Sequence, residues 1–341
     1  MKIDDFDLEK RIMIVAEIGN NHEGDFALAQ DLIGLAAEAG AHAVKFQTYR
    51  TEQYISRREE RRFARLISYE LSAEQFATLS KTATQAGLVF LSTPFDLESV
   101  RFLRNQVAAY KIASGDLNFF PLLEAVAETG NPVILSTGLA TLDQIQAAKQ
   151  TIQGIWQTRA IEQELAILHC VSSYPVPAKE ANLAAIRRLQ QEFQCTVGYS
   201  DHTLGIEAAS LAVALGARIV EKHFTIDKHY SDFRDHQLSA DPAEMCELVR
   251  RIELITTLMG SGQKIPQPSE AAAANGLRRS IVARRDLAAG TVVVAEDLTW
   301  VRPAIGLAPG NEHLVLGRQL LKPVSAGEPI LPQILTHEVA G

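Results

Sequence analysis

Eight short apolar runs, each closing on or beside a polar residue and each separated by an amphipathic segment, constrain this chain more than any other feature. They lie at 12–18 (IMIVAEI), 43–48 (AVKFQT), 88–92 (LVFLS), 108–113 (AAYKIA), 133–137 (VILST), 165–170 (LAILHC), 196–200 (TVGYS) and 218–224 (RIVEKHF). Helical periodicity fills the gaps, clearest over 25–39, 73–86, 119–129, 141–152, 180–193, 205–215 and 242–259. Gly40, Gly87, Gly130 and Gly216 stand where helix C-caps belong. Strands alternating with helices imply parallel pairing, since a parallel crossover needs a dozen or more residues. The pattern predicts an α/β fold, a closed (β/α)8 barrel. An open doubly wound sheet is the alternative, but no Gly-x-Gly-x-x-Gly follows the first strand.

After the last helical segment the pattern changes. Residues 263–276 are small, Pro- and Gly-containing and weakly periodic, and read as a linker. Residues 277–341 carry short β-prone runs (SIVAR, TVVV, LTWVRP, LLKPV) between Ala-Ala-Gly, Ser-Ala-Gly and Leu-Ala-Pro-Gly turns, a small β-rich domain. The expected division is therefore a barrel over 1–262, a linker over 263–276 and a second domain over 277–341.

Composition excludes several classes. The net charge is −8, from 33 Lys and Arg against 41 Asp and Glu, with no long basic face for nucleic acid. The one basic cluster, Arg57-Arg58-Glu59-Glu60-Arg61-Arg62, is interleaved with acids and reads as a solvated loop or helix face. No apolar run reaches the roughly 18 residues of a membrane span, and the acidic N-terminus lacks a signal-peptide stretch. Three scattered cysteines, Cys170, Cys195 and Cys246, argue against a disulfide framework and for a cytoplasmic setting.

In a (β/α)8 barrel the chemistry sits at the C-terminal ends of the strands. Those ends carry Glu17; Lys45 and Gln47; Thr93; Lys111, Ser114 and Asp116; Ser136 and Thr137; His169, Ser172 and Tyr174; Ser200, Asp201 and His202; and Glu221 and His223. Strand parity puts Lys45 and Gln47 on one face, toward the mouth, with Val44 and Phe46 on the other, toward the helices. Glu221 and His223 also share a face, and Lys222 points the other way with no evident partner. Two lysines among several hydroxyls suit a phosphate and a carboxylate. A single strand-end serine or lysine is ordinarily a solvated loop residue, so the set carries the argument rather than any member. Glu17 reads either as a salt-bridge partner of Lys45 or Lys111 or as an acid/base group. His169 reads as a hydrogen-bonded core histidine. Asp201 either orients His202 or caps the helix that follows. His202 and His223 end neighbouring strands. A metal on two imidazoles keeps open positions for water and substrate, as catalysis requires.

Eight ordered motifs now stand at the strands: AEIGNNHEG (16–24), VKFQT (44–48), LSTPF (91–95), YKIASGD (110–116), ILSTG (134–138), HCVSSYP (169–175), GYSDHT (198–203) and EKHFT (221–225). With them the chain resembles the sialic acid synthase family over essentially its whole length, a TIM barrel followed by a C-terminal SAF (antifreeze-like, β-clip) domain. The resemblance implies condensation of phosphoenolpyruvate with an N-acetylmannosamine-type sugar, giving a nonulosonic acid and phosphate. It implies a divalent metal at His202 and His223, Mn²⁺ by family habit with Mg²⁺ or Co²⁺ as alternatives. It implies that Lys111, Thr93, Ser114, Ser136, Ser172 and Ser200 bind phosphoenolpyruvate. Lys45 and Gln47 would lie between its carboxylate and the sugar, with Tyr174, Asp116 and Asp235 on sugar hydroxyls and Glu17 the catalytic carboxylate. It further implies a domain-swapped homodimer in which Arg302 of the SAF domain reaches the sugar's N-acetyl group on the partner's barrel.

Two departures bear on the acceptor. Arg302-Pro303 continues as Ala304-Ile305-Gly306 where the family has Gly and a small polar residue. The stretch 227–239 (DKHYSDFRDHQLS) lacks a Gly-Pro-Asp and brings Arg234 and His236 as new polar groups expected near the substrate. Legionaminic or pseudaminic acid synthesis, or a sugar-6-phosphate acceptor, are the alternatives. A catalytically silent sugar-phosphate binder is a further one, and a lysine Schiff-base aldolase would leave the histidine pair without a purpose.

Overall fold

The computed structural model describes residues 1–339. The chain divides into two compact units, Met1–Gly260 and the residues from Ser261 onward. In the first, eight parallel strands close into a barrel in chain order: β1 (Met13–Gly19), β2 (Ala43–Thr48), β3 (Val89–Pro94), β4 (Ala109–Ile112), β5 (Val133–Ser136), β6 (Leu165–Cys170), β7 (Thr196–Asp201) and β8 (Ile219–His223), with β8 paired to β1. The eight runs read from the sequence are these strands, within two residues at each end. No open sheet forms.

Local chemistry sets the helix boundaries. Ser72 with Gln75 and Thr141 with Gln144 close reciprocal capping boxes, and Asp25, Asp96 and Asp241 cap three further helices by accepting from first-turn N–H groups. Gly40, Gly87, Gly130 and Gly216 all take positive φ just past helix ends. Several short helices escape apolar periodicity: Glu60–Tyr69, Leu97–Leu103, Arg234–Leu238 and, inside the stretch read as a linker, Ala271–Leu277. The segment expected to be helical over 180–193 is so only over Ala185–Phe193.

The barrel interior is layered. Inward positions of the lower strands, Met13, Val15, Ala43, Leu91, Ala109, Ile134, Ala166, Leu168 and Ile219, form one apolar cluster with Met1, Ile3, Phe6 and Leu8 of an N-terminal hairpin. Outward residues, Val44 and Phe46 among them, pack in a second cluster with the surrounding helices. Continuing each inward row upward gives Glu17, Lys45, Thr93, Lys111, Ser136, Cys170, Ser200 and Glu221, all buried. Period-two geometry thus converts apolar strands into a polar upper layer.

Lys222 has a partner after all. It is fully buried outside the barrel wall, 3.0 Å from Asp201 Oδ2 and hydrogen-bonded to the Thr203 carbonyl at 2.5 Å. Asp201 Oδ1 accepts from Thr203 N, Thr203 Oγ1 and the Tyr199 hydroxyl. It therefore stabilises the turn after β7 and its ion pair, and its hydrogen bonds do not reach His202. His169 is the expected core histidine, with Nε2 at 2.8 Å from the Ala181 carbonyl and its ring stacked on Tyr199.

The second unit pairs Ser280–Ala283 with Leu298–Val301 and Arg318–Leu320 with Leu335–Val339, both antiparallel. Its own core holds Ile281, Val293, Leu298, Leu320, Ile330 and Leu335.

Breaking a buried pair by removing one partner leaves the other charge uncompensated. Lys222→Met should therefore destabilise the first unit by about 3–5 kcal/mol, and Asp201→Asn combined with it should recover part of the loss. Urea unfolding of the single and double variants measures both.

Candidate active site

A cavity of about 430 Å³ opens at the C-terminal end of the barrel. Every barrel residue to which the resemblance gives a role lines it: Glu17, Lys45 and Lys111; Gln47, Thr93, Ser114, Asp116, Ser136, Ser172, Tyr174, Ser200 and Asp235; and His202 and His223, whereas Thr137, His169 and Asp201, also read at strand ends, do not. Arg302 belongs to the second unit, exposed just past the strand Leu298–Val301.

The floor is a buried charge cluster. His223, Glu17 and Lys45 stand at paired positions on three adjacent strands. Lys45 Nζ lies 2.7 Å from Glu17 Oε2 and 3.8 Å from Glu221 Oε2, and Lys111 Nζ lies 3.4 Å from Glu221 Oε1. Ser200 donates to Glu221 at 2.8 Å, and Lys45 donates to Thr93 at 3.2 Å. Gln47 donates to Glu17 at 3.3 Å, Asn20 to Gln47 at 3.0 Å, and the Tyr49 hydroxyl to Asn20 at 3.2 Å. Glu17 is thus a salt-bridge partner of Lys45, and it lines the cavity.

Environment drives the carboxylates apart. Burial raises Glu17 above the ordinary carboxylate range, against the pull of Lys45. Burial would raise Glu221 too, but Lys111, Lys45 and the Ser200 hydroxyl outweigh it and hold Glu221 down at about 2. Burial would lower Lys45, but Glu17 and Glu221 hold it above its usual value, while burial prevails at Lys111 and lowers it. The two carboxyls are thus driven in opposite directions by what surrounds them.

Above β4 to β6 the wall is made of hydroxyls. Gly138 N donates to Ser114 Oγ at 2.9 Å. A Cβ at Gly138 would stand 2.4 Å from Ser172 Oγ and 2.9 Å from Ser114 Oγ, so only glycine lets these groups converge. Ser136 Oγ is buried with no hydrogen-bond partner. A hydroxyl left unsatisfied among lysines and a backbone N–H is a place for an anion's oxygen.

The two histidines face each other across β7 and β8, ring centroids 5.4 Å apart. His202 Nδ1 is 2.9 Å from the Val171 carbonyl, which fixes that proton and leaves Nε2 as a lone-pair donor. His223 Nδ1 is buried without a partner, and burial holds this ring well below its usual pKa, so it stays neutral. Burial would lower His202, but contact with the Cys170 thiol outweighs it and raises it. Among the described residues no group of three His, Cys, Asp or Glu is arranged to hold an ion. Two imidazoles, His202 offering Nε2 and His223 a partnerless Nδ1, do fit an ion whose other ligands come from outside the protein.

Glu221, read from parity on the face of His223, lines the cavity as expected, though the resemblance gives it no role. Sequence reasoning missed other parts of the lining: Cys170 follows the inward row of Leu168 and the parity rule could have found it, but Asn20, Tyr54, Arg62, Arg65, Tyr69, Phe95 and Phe233 had no such signal. Arg62 and Arg65, read as part of a solvated stretch or not singled out, lie on the cavity side of the helix Glu60–Tyr69, and Arg65 stands 5.4 Å over the Phe233 ring. Of the two new polar groups, Arg234 lines the cavity, 4.8 Å over Tyr174, but His236 does not. His236 is fully buried behind it, on Thr225 and Glu23, because the helix Arg234–Leu238 turns it inward.

The NeuB family model matches residues 32–264 and the SAF domain model residues 278–335. The chain is 40% identical to the N,N'-diacetyllegionaminic acid synthase of Legionella pneumophila, over 93% of either protein. It is 32% identical to the N-acetylneuraminate-9-phosphate synthase of Homo sapiens, over 95% of this chain and 91% of that one. Among solved structures it matches an N-acetylneuraminic acid (sialic acid) synthetase from Leptospira borgpetersenii, in complex with citrate, with a TM-score of 0.73 at 38% identity, over 77% of this chain and 90% of that one.

Asp116 supplies a test of the cavity's polarity, since burial pushes its carboxyl up to about 6. The protonated form is the one folding favours. Its contribution is complete below about pH 4 and is lost as pH rises through about 6. Asp116→Asn should therefore match the parent in stability near pH 4 and exceed it at pH 7.5 by on the order of 1–2 kcal/mol. Chemical denaturation at the two pH values reads this.

Proposed function

The chain belongs to the NeuB family, and from that premise we propose that its barrel condenses phosphoenolpyruvate with an N-acetylmannosamine-type sugar, releasing phosphate and a nonulosonic acid. The observation that carries this reading is the convergence, in one cavity, of a lysine–carboxylate cluster, a hydroxyl wall and a facing histidine pair. Relatives named as acid synthases along nearly their whole length support it.

Phosphoenolpyruvate carries a carboxylate and a phosphate, and the cavity offers Lys45 and Lys111, already paired, together with the hydroxyls of Ser114, Ser136 and Ser172. Glu17, Glu221, Lys45 and Lys111 cancel in charge, so an arriving anion needs the hydroxyls and a further cation. His202 and His223 are the residues that would hold a divalent ion, Mn²⁺ on family grounds. When bound it would supply Lewis-acid polarisation of the acceptor's aldehyde.

In the reaction, carbon 3 of phosphoenolpyruvate forms a bond to the aldehyde carbon while the aldehyde oxygen gains a proton. Water adds at carbon 2, and the tetrahedral centre breaks its carbon–oxygen bond to phosphate, leaving the 2-keto acid. Glu17, raised by burial and hydrogen-bonded by Gln47, takes the proton from the water or steadies the charge at carbon 2. Tyr174, Asp116 and Asp235 orient the sugar's hydroxyls. Arg302 would approach the N-acetyl group from a partner's second domain in a homodimer.

A second reading concerns the acceptor alone, a 2,4-diacetamido sugar of the legionaminic type. Its support is the 40% identity to the Legionella protein and an aromatic stretch of wall, Tyr54 stacked on Phe95 at 4.3 Å. Acyl and methyl groups pack on such rings better than hydroxyls do.

Phosphate release from metal-stripped protein, given phosphoenolpyruvate and N-acetylmannosamine, its 6-phosphate or 2,4-diacetamido hexoses, with and without Mn²⁺, tests both readings. Release should require Mn²⁺ and one sugar. Failure with every sugar, from folded protein, sinks the proposal. His202→Ala and His223→Ala should each lose turnover and Mn²⁺ binding while keeping the circular dichroism of the parent. Glu17→Gln should lower kcat by about 10²–10⁴-fold with little change in KM.

A further inference from the structure

Glu23 has no part in the chemistry above, yet it gathers three separate elements of the barrel's upper rim. It lies in the loop after β1, with a left-handed φ of 49°. Its Oε1 accepts from Ser231 Oγ, in the loop after β8, and is 2.9 Å from Nε2 of His236. The other ring nitrogen of His236 is 2.7 Å from Thr225 Oγ1, and Phe233 N donates to Ser231 Oγ at 3.0 Å. Tyr69, at the end of the helix Glu60–Tyr69, packs edge-on against the Phe233 ring at 5.5 Å, and its hydroxyl is pushed up to about 12 by burial and by the nearby Glu23 carboxylate. The loop lies directly on that helix: Gly24 has φ 87°, and a Cβ there would sit 2.1 Å from the Ser68 carbonyl oxygen.

The ordinary explanation for an acid at this place is helix capping, but Asp25 already caps the helix Phe26–Glu38. Burial would raise the Glu23 carboxyl, and the bonds from Ser231 and His236 outweigh it and keep it low, so the hub is anionic. The elements it ties carry the outer cavity lining: Tyr69 and Arg65 from the helix, Phe233, Arg234 and Asp235 from the β8 loop. Glu23 and His236 themselves do not line the cavity. The β8 loop has a second tie, from Asn21 Nδ2 to the Phe224 carbonyl at 2.8 Å and to Ser239 Oγ at 3.0 Å, and Ser239 Oγ in turn donates to the Asp235 carbonyl at 2.5 Å. That tie holds the far side of the helix Arg234–Leu238, whereas the stretch from Ser231 into its first turn is joined to the loop after β1 through Glu23.

We propose that Glu23, through Ser231 and His236, is a positioning residue for the acceptor end of the cavity, holding Phe233, Arg234 and the start of their short helix in place against the helix Glu60–Tyr69. The kinetic consequence rests on the condensation reading, and the structural one does not. The groups assigned to phosphoenolpyruvate stand on strands or, for Ser114 and Ser172, just past them, and none of them bonds the hub, so loss of the hub separates the two substrates.

The test compares Glu23→Ala and Glu23→Gln in the full chain. The carboxamide oxygen of Gln still accepts from Ser231 and His236, so Glu23→Gln should behave as the parent. In Glu23→Ala, amide hydrogen exchange over 228–238 should quicken by about tenfold or more while β1–β8 keep their protection. With the acceptor found by the phosphate-release panel, its KM should rise by about tenfold and that of phosphoenolpyruvate by less than about twofold. Unchanged exchange over 228–238, or equal rises in both KM values, overturns the proposal. If Glu23→Ala does not fold, Ser231→Ala, which removes one donor, is read on the same two scales with a smaller effect. If the parent turns over no acceptor, the functional reading falls and the exchange comparison alone decides the role of Glu23.

Discussion

Two carboxylates and two ammonium groups, all buried at one level of the barrel interior, set the terms for everything around them. Taking four charges out of water is costly, and only close pairing with further hydrogen bonds offsets it. The pairing here is at 2.7, 3.4 and 3.8 Å, with Ser200, Thr93 and Gln47 taking up remaining donors and acceptors. Such contacts tolerate little slip. They need strands whose register is locked, and the apolar layers beneath, from Met13 to Ile219 with the N-terminal hairpin under them, provide the lock. A one-residue shift of β2 would turn Lys45 into the helix layer and Phe46 into the cluster.

The neutrality of that cluster shapes the chemistry. A net positive floor would bind any anion strongly, substrate and product alike. A balanced one offers ammonium groups only as they are released from carboxylates, and the released carboxylate becomes free to accept a proton. Glu17 is the member suited to this, because burial has lifted it, whereas Glu221 stays ionised between two lysines. Under the proposed condensation, an anion bound at Lys45 would loosen Glu17 through this same 2.7 Å contact, so the two roles would be linked rather than provided separately.

Most of this was legible in the sequence because it follows from period two. Parity put Lys45 and Gln47 inward and Val44 and Phe46 outward, and the structure agrees at each position. The same rule applied to β8 places Glu221 beside His223 and sends Lys222 to the far side, where Asp201 receives it. What could not be read lies off the strands. The helix Glu60–Tyr69 buries only Leu66, so it has almost no apolar stripe to reveal it, and its arginines enter the cavity for tertiary reasons. The five-residue helix Arg234–Leu238 is too short for periodicity, and His236 faces inward only because Glu23 and Thr225 await it there. Asp201 was ambiguous for a related reason: its partner is a lysine one strand away, and nothing local marks it.

The division between strands and loops also divides the labour of the site. Groups on strands inherit the rigidity of a closed sheet, so the atoms that handle charge transfer are fixed by the fold itself. Groups at the outer end stand on short helices and loops whose positions are set by a few polar ties, with Glu23 at their centre. Replacing a strand residue such as Lys45 unbalances four charges at once. Replacing Arg65, Phe233 or Arg234 alters the wall that a sugar's distal substituents meet and leaves that balance intact. Acceptor preference can therefore drift on the loops while the condensing floor stays constant, which is the physical basis on which closely similar barrels can differ in the sugar they accept.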